Sequence, residues 1–306
     1  MKASRFSLRF VGIWAACVAA AQIAWAVPVH IAYMDQPSEG FKDPTLGAAR
    51  KTAFEYAVNI WASQLVGTVP IVIRAEFNWL EGDEFGAVLG SCGARTFHAN
   101  FPNAPMEYTY YVSALANQLA GIDLAPSTED LDAEFNSLVD GDVVLGDISW
   151  YYGLDGNPPG NDIDFVTVVL HEMGHGLGFL DLIDPYSGEW YFGDPDIFSL
   201  QLAQYSVGLF GDMSDEERYW ALTSDEVIWI GGHVRMKTGQ WILMYAPDPY
   251  EFGSSIAHWD ISNFPDLLME PYFTHTIHTI DLTKYAFQDL GWTFTPKSAA
   301  QHWTRY

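Results

Sequence analysis

The chain has 306 residues, of which 49% are hydrophobic, and its formal net charge at pH 7 is −25. This composition supplies a large apolar core and excludes a generally disordered chain. A surface this acidic repels nucleic acids and anionic membranes, so we expect neither as a partner.

The first 26 residues have the pattern of a secretory signal peptide. Lys2, Arg5 and Arg9 form its basic region, an apolar run follows over 10–23, and Ala24-Trp25-Ala26 matches the small-x-small cleavage pattern. A membrane anchor is the alternative, but the apolar run is short for a bilayer span. We therefore expect a secreted protein, extracellular or periplasmic, without stable membrane insertion once the signal peptide is removed.

Removal of the signal peptide also removes Cys17, which leaves Cys92 alone and excludes an internal disulfide. We interpret Cys92 as a small apolar residue in a turn over 90–93. The alternative is a latency thiol that caps a metal ion.

Apolar spacing predicts two helices in the first half of the chain. The first covers 46–65, with Gly67 as its C-terminal cap, and the second covers 112–119 and ends at Gly121. Between them, alternating apolar and polar residues over 71–77 predict a strand.

A buried central helix is predicted over 161–178. The Pro158-Pro159-Gly160 sequence interrupts the chain just before it, and Asp162 can act as its N-cap. The valine-rich stretch 166–169 favours a strand by local propensity. Apolar residues nevertheless lie on most sides of a helix drawn through this segment, which is typical of a buried helix.

The order of these elements, with a candidate short strand at 142–145, predicts an α+β fold in which helices pack behind a twisted mixed sheet. In the loop-rich part that follows, Ser214 and Glu217 form a capping box for a short helix, and 241–245 is predicted to be a strand. No repeat or long linker divides the chain. We expect one domain over 27–295, with an N-terminal subdomain of about 27–178, a loop-rich C-terminal subdomain of about 179–295, and a tail at 296–306.

His171-Glu172-Met173-Gly174-His175 is the clearest chemical motif in the sequence. On a helix the two histidines lie one turn apart on one face and can bind the same cation. Zinc fits best, because it accepts neutral imidazoles and leaves a position for water. Glu172 is rotated about 100° around the helix, where it can act as a general base toward that water.

Catalytic zinc needs a third protein ligand, and the sequence offers two candidates. Asp181 fits the H-E-x-x-H-x-x-G-x-x-[H/D] spacing, in which Gly178 ends the helix in a left-handed conformation. His258 lies much further along the chain. The residues alone leave this choice open.

Further motifs resemble the C-terminal part of the leishmanolysin-type metallopeptidases, which are metzincins, and of related bacterial secreted proteins. They are Ala257-His258-Trp259, Asp266-Leu267-Leu268-Met269-Glu270-Pro271 and Ala286-Phe287-Gln288-Asp289-Leu290-Gly291-Trp292. The resemblance covers the H-E-x-x-H helix and the segment 253–292 well, and the N-terminal region only loosely.

The resemblance implies a metzincin-like catalytic domain in which His258, after a long insertion, is the third zinc ligand. Met269 would lie in a turn beneath the zinc. The sequence departs from the family pattern in its single remaining cysteine and in the short chain before the first helix. Pro271 stands where some metzincins place a tyrosine, and the role of Tyr272 is open.

We therefore expect a secreted zinc endopeptidase that hydrolyses protein or peptide substrates, with His171, His175 and His258 as ligands and Glu172 as general base. The alternatives are a zinc hydrolase of non-peptide substrates and an exported binding or adhesion module that retains the fold.

Calcium is a further candidate cation, because the 155–157 turn and the side chains of Asn161, Asp162 and Asp164 supply oxygen atoms. The spacing of a calcium-binding loop is not met.

The remaining histidines lack helical pairing with a carboxylate neighbour and are given no functional role. They are His30, His98, His233, His275, His278 and His302.

Overall fold

The computed structural model describes residues 26–296 except 142, 263 and 265. The predicted signal peptide, apart from Ala26, and the predicted tail, apart from Pro296, lie outside the described residues. The helices are α1 (Gly47–Ala62), α2 (Ser113–Ala120), α3 (Phe165–Gly176), α4 (Asp215–Ala221), α5 (Gly232–Thr238) and α6 (Thr283–Leu290). The strands are β1 (Val29–Tyr33), β2 (Ile71–Asn78), β3 (Gly90–Ala94), β4 (Phe97–His98), β5 (Tyr111–Val112), β6 (Leu131–Asn136), β7 (Trp150–Tyr151), β8 (Ile163–Asp164), β9 (Leu202–Gln204), β10 (Gly208–Leu209), β11 (Val227–Trp229) and β12 (Ile242–Leu243).

The main sheet has four strands in the order β1-β2-β6-β3. β1, β2 and β6 are parallel, and β3 is antiparallel to β6. Buried and half-buried residues alternate along β2, as the sequence predicts, because every second side chain enters the core. The predicted α+β class with a mixed sheet is confirmed.

Helix α3 is the central helix, and it contacts α1, β3 and β6. The indole Nε1 of Trp61 on α1 donates a hydrogen bond to the Leu170 carbonyl at 2.9 Å. The helix begins later than predicted, and its N-cap is Asp164 instead of Asp162. Asp162 is used differently, because its carboxylate accepts a hydrogen bond from the Ser149 backbone next to the β7–β8 pair.

The predicted helix over 46–65 is α1, but it ends at Ala62, and Gly67 is not its cap. The chain leaves the helix there because the Val27 N–H bonds to the Ala62 and Leu65 carbonyls, and Val66 bonds to Thr293. The second predicted helix is confirmed as α2, which ends at Gly121 in a left-handed conformation with φ 71°.

The strand predicted at 142–145 is wrong over 143–145, and residue 142 lies outside the described residues. Residues Val139–Gly141 form a short 3₁₀ helix, and Leu145 has a φ of 62°, which does not occur in a strand. Its N–H donates a hydrogen bond to the Asp83 carbonyl. Long-range contact with the 83–86 loop therefore outweighs the local apolar signal.

The second half of the described chain contains a second four-stranded sheet, in the order β10-β9-β11-β12, which is antiparallel throughout. The capping box predicted for Ser214 and Glu217 is confirmed at the start of α4. The strand predicted at 241–245 is the shorter β12. Helices α5 and α6 were not predicted from the sequence.

One hydrophobic core runs through both halves of the described chain and includes Trp61, Phe165, Trp229 and Trp259. Within the described ranges, no helix combines the length and apolarity needed to cross a bilayer.

Candidate metal centre

Three histidine side chains converge beside α3. His171 and His175 lie one turn apart on the helix, and His258 comes from the loop before Trp259. Each of the three distances between their Nε2 atoms is 3.1 Å. The sequence motif and the distant histidine therefore form one compact group of nitrogen atoms.

Hydrogen bonds to the backbone fix the tautomer of each ring. The Nδ1 atoms of His171, His175 and His258 lie 2.6, 2.8 and 2.7 Å from the carbonyl oxygens of Leu268, Phe179 and Ser254, respectively. A carbonyl oxygen only accepts, so each Nδ1 carries the proton and donates it. The Nε2 atoms are then three unprotonated acceptors that face one another with no hydrogen between them. A cation at their centre satisfies all three lone pairs.

Burial keeps the imidazoles neutral. It lowers the pKa of His171 to about 4 and, together with the neighbouring His171, lowers the pKa of His175 to about 3. The pKa of His258 is also lowered, first by burial and then by the other two rings. Neutral imidazole is the form that binds a metal.

Glu172 is buried between α3 and the edge strand β3. A Cβ atom added to Gly90 of β3 would lie 3.1 Å from the Cγ of Glu172, so the glycine leaves room for this side chain. Burial raises the pKa of Glu172 to about 8. The carboxyl group is therefore held in an apolar setting on the helix that carries two of the histidines.

Met269 is fully buried and packs against α3 between the two helical histidines. Its Sδ would lie only 2.5 Å from a Cβ atom at Gly174, so the methionine and the helix approach this closely because Gly174 has no side chain. The structure thus places Met269 directly against the histidine-bearing turn, on the side of the helix where Trp61 also lies.

Cys92 lies on β3 and not in a turn, which corrects the expectation for 90–93. Its thiol is buried against α3, where a Cβ atom at Gly176 would lie 2.5 Å from Sγ. Burial raises the pKa of this thiol. Cys92 is not part of the histidine group, and it packs as a small apolar residue.

Gly178 reverses the chain after α3, with a φ of 123°. The Phe179 N–H bonds to the Gly174 carbonyl and the Gly178 N–H bonds to the His175 carbonyl, which is a Schellman motif. The reversal brings the Phe179 carbonyl to the Nδ1 of His175. Gly178 thus has the expected positive φ at the helix end, and the direct result of the reversal is the orientation of a histidine ring.

Asp181 does not join the three histidines among the described residues. Its Oδ1 accepts a hydrogen bond from the Ile183 N–H at 3.2 Å. Burial, and then the neighbouring Asp196, raises the pKa of Asp181 to about 7. The structure thus brings His258 and not Asp181 to the helical pair.

The loop that carries His258 is tied to the turn that follows Met269. The Glu251 carboxylate accepts hydrogen bonds from the hydroxyls of Tyr245 at 3.0 Å and Tyr272 at 2.8 Å. The Glu251 carbonyl accepts from the N–H groups of Ser254 and Ser255. Tyr272, whose role was open, thus has a structural contact in this cluster.

The oxygen atoms considered for calcium are engaged separately. Asp155 accepts hydrogen bonds from Tyr151 and Asn157, and Asp164 caps α3 and bonds to His278.

A separate cluster of three acidic side chains lies on the main sheet in the described part of the chain and consists of Glu76, Asp132 and Glu134. Arg74 and Arg95 form ion pairs with its members, which offset the negative charge.

Sequence reasoning missed the three carbonyl groups that hold the histidine rings. Backbone acceptors leave no signal in residue identity, although the four-residue step from His175 to Phe179 is compatible with a contact across a helix end.

Comparisons with known protein families and with curated proteins find no match to this chain. The family resemblance therefore stays a prediction that depends on the quoted motifs.

Proposed function

We propose that this chain is a secreted zinc-dependent endopeptidase with a metzincin-like fold, in which His171, His175 and His258 bind the metal and Glu172 is the general base. The observation that carries the proposal is the convergence of three unprotonated Nε2 atoms at 3.1 Å from one another. Secretion is proposed from the pattern of the first 26 residues.

The geometry of the three nitrogens fits zinc. Zinc–imidazole bonds of about 2.0–2.1 Å in a tetrahedral arrangement separate the nitrogens by about 3.3 Å. The observed separations of 3.1 Å are close to this value. Calcium and magnesium prefer oxygen ligands, so the donor set favours zinc over these ions.

The number of ligands favours a catalytic site over a structural one. Structural zinc sites have four protein ligands, whereas catalytic sites have three and a water molecule. In the described part of the chain, no cysteine, fourth histidine or carboxylate joins the group of three. An intact glutamate next to the first ligand is also unnecessary in a structural site.

Zinc, when bound, lowers the pKa of its water toward about 7 and polarises a substrate carbonyl. The carboxylate of Glu172 would take up a proton from such a water molecule and would later pass it to the leaving amine. The positive charge of a bound zinc ion would favour the ionised form of Glu172. This effect would lower the pKa of Glu172 and offset the increase caused by burial. The three backbone carbonyls keep the imidazole rings in place during these steps.

The test compares Glu172→Gln with Glu216→Gln, a matched change at an exposed position on α4. The zinc-loaded proteins are assayed for casein or gelatin cleavage with and without chelator, and zinc content is measured. We expect Glu172→Gln to retain zinc and to lose at least about 100-fold in cleavage rate, because it removes the general base. Glu216→Gln should behave as wild type.

Two results would contradict the proposal. One is a zinc-loaded wild-type protein that cleaves no peptide bond, which would favour a non-peptide substrate or a binding module. The other is peptide cleavage that chelator does not reduce.

A further inference from the structure

We propose that Asp281 is a positioning residue of the metal centre, which fixes the backbone carbonyl that orients His171. Asp281 does not bind the metal in this arrangement, and it acts through Leu268. The inference rests on the metal site of the proposed function but not on its peptidase activity.

A short relay of two hydrogen bonds connects Asp281 to the histidine. The Asp281 Oδ2 atom accepts a hydrogen bond from the Leu268 N–H at 2.6 Å. The Leu268 carbonyl accepts from the Nδ1 of His171 at 2.6 Å. Both backbone groups of Leu268 are therefore used, one to hold the residue and the other to hold the ring.

The second oxygen of Asp281 connects to the loop of the third histidine. Oδ1 accepts hydrogen bonds from the backbone N–H and the hydroxyl of Thr283, both at 2.9 Å. The Thr283 hydroxyl in turn accepts from the indole Nε1 of Trp259 at 3.3 Å. Trp259 follows His258 in the sequence. The backbone N–H of Trp259 donates a hydrogen bond to the Met269 carbonyl at 2.8 Å.

A carboxylate suits this position because its two oxygens only accept, and the groups around it donate. Leu268 and Thr283 are almost completely buried, so neither N–H can turn to bulk water without a change in the turn. Groups that hold metal-binding histidines commonly change metal affinity by about 10–100-fold when they are removed. Asp281 does not contact the histidine itself. It holds Leu268, whose backbone carbonyl holds the His171 ring.

Asp281 also lines a cavity of about 720 Å³ at the surface, between the end of α1 and helices α5 and α6. In Asp281→Ala, the space left by the carboxylate opens into this cavity and is not a sealed void. The variant should therefore fold, but the Leu268 carbonyl would lose its fixed position.

The experiment measures zinc affinity by competition with a chromophoric chelator for wild type, Asp281→Ala and Asp281→Asn. Asp196→Asn is the matched control. Asp196 is a buried aspartate whose carboxylate, like that of Asp281, accepts from the hydroxyl and the N–H of one nearby residue, here Ser199, and from a distant backbone N–H, here that of Leu182. Its partners do not hold any of the three histidine rings.

We expect both Asp281 variants to bind zinc about 10–100-fold more weakly than wild type. Their cobalt-substituted forms should show altered visible absorption, because the His171 ring is no longer held. Asp196→Asn should lower the melting temperature and keep wild-type zinc affinity. Asp281→Asn guards against misfolding of the alanine variant, since it retains the side-chain volume.

Zinc affinity unchanged in both Asp281 variants would overturn the positioning role and leave the proposed peptidase function intact. An equal loss of affinity in Asp196→Asn would also overturn it, since the effect would then follow from general destabilisation. A wild-type protein that binds zinc but cleaves no peptide would contradict the proposed function alone.

Discussion

The residues of the candidate metal centre have local physical reasons for their identity. The three histidines each use Nδ1 to bond a backbone carbonyl and leave Nε2 for a cation. Gly90 and Gly174 have no side chain where Glu172 and Met269 need the space. The candidate site therefore depends on the absence of side chains at these two glycines as well as on the three histidines.

At this scale the third ligand can be tested directly. We expect His258→Ala to lose zinc, because two histidines do not hold a catalytic ion, whereas Asp181→Ala should retain it. Zinc content after dialysis, measured by atomic absorption, provides the comparison. Zinc retained in His258→Ala and lost in Asp181→Ala would reverse the ligand assignment.

At the scale of elements, α3 is fixed at both ends. Asp164 caps its first turn by accepting from the Thr167 N–H at 2.7 Å. The Schellman motif at Gly178 ends it and holds the Phe179 carbonyl against His175. The two ends thus fix the length of the helix, and the C-terminal end also orients the ring of His175, a candidate ligand.

Gly178→Ala tests the role of this helix end. A residue with Cβ at a φ of 123° is strained, so we expect the free energy of unfolding to fall by roughly 1–2 kcal/mol. Zinc affinity should fall too, because the Phe179 carbonyl shifts. Gly121→Ala is the control, since Gly121 ends α2 with a φ of 71°, and it should lose stability only. Urea unfolding and chelator competition measure the two effects, and unchanged zinc binding in Gly178→Ala would count against the coupling.

The whole molecule combines strong negative charge with buried carboxyl groups. Burial and Asp196 raise the pKa of Asp181 to about 7, against about 3.9 in an unfolded chain. As the pH rises from about 4 to above 7, the unfolded state loses its Asp181 proton first. The free energy of unfolding of the metal-free protein should therefore fall over this range.

Asp181→Asn should remove this contribution, because its amide oxygen can still accept from Ile183 and the group does not ionise. We expect the melting temperature of the metal-free variant, relative to that of the metal-free wild type, to increase as the pH rises from 5 to 8. Asp225→Asn, which removes one carboxylate at an exposed position, is the control for the change in net charge. An Asp181→Asn difference that is independent of pH would show that burial does not raise the pKa of Asp181.

Local patterns predicted the elements that depend on periodicity and capping. Strand β2, helix α2 and the capping box of α4 follow from alternation, helical spacing and end residues, and the structure has all three. Predictions failed where distant contacts decide. Leu145 bonds to the 83–86 loop, and Val27 ends α1 early by bonding to its last turn.

The sequence by itself determined that His171, Glu172 and His175 share one helix, because their spacing and helical geometry are enough. It left the third ligand open between Asp181 and His258, and the resemblance favoured His258 without placing it. Only the tertiary structure brings His258 to the pair, since the chain between them must fold before atoms so far apart in sequence can meet. The proposed role of Asp281 also depends on the tertiary structure. Its hydrogen bonds reach His171 through the backbone of Leu268, and the partners of backbone groups cannot be read from residue identity.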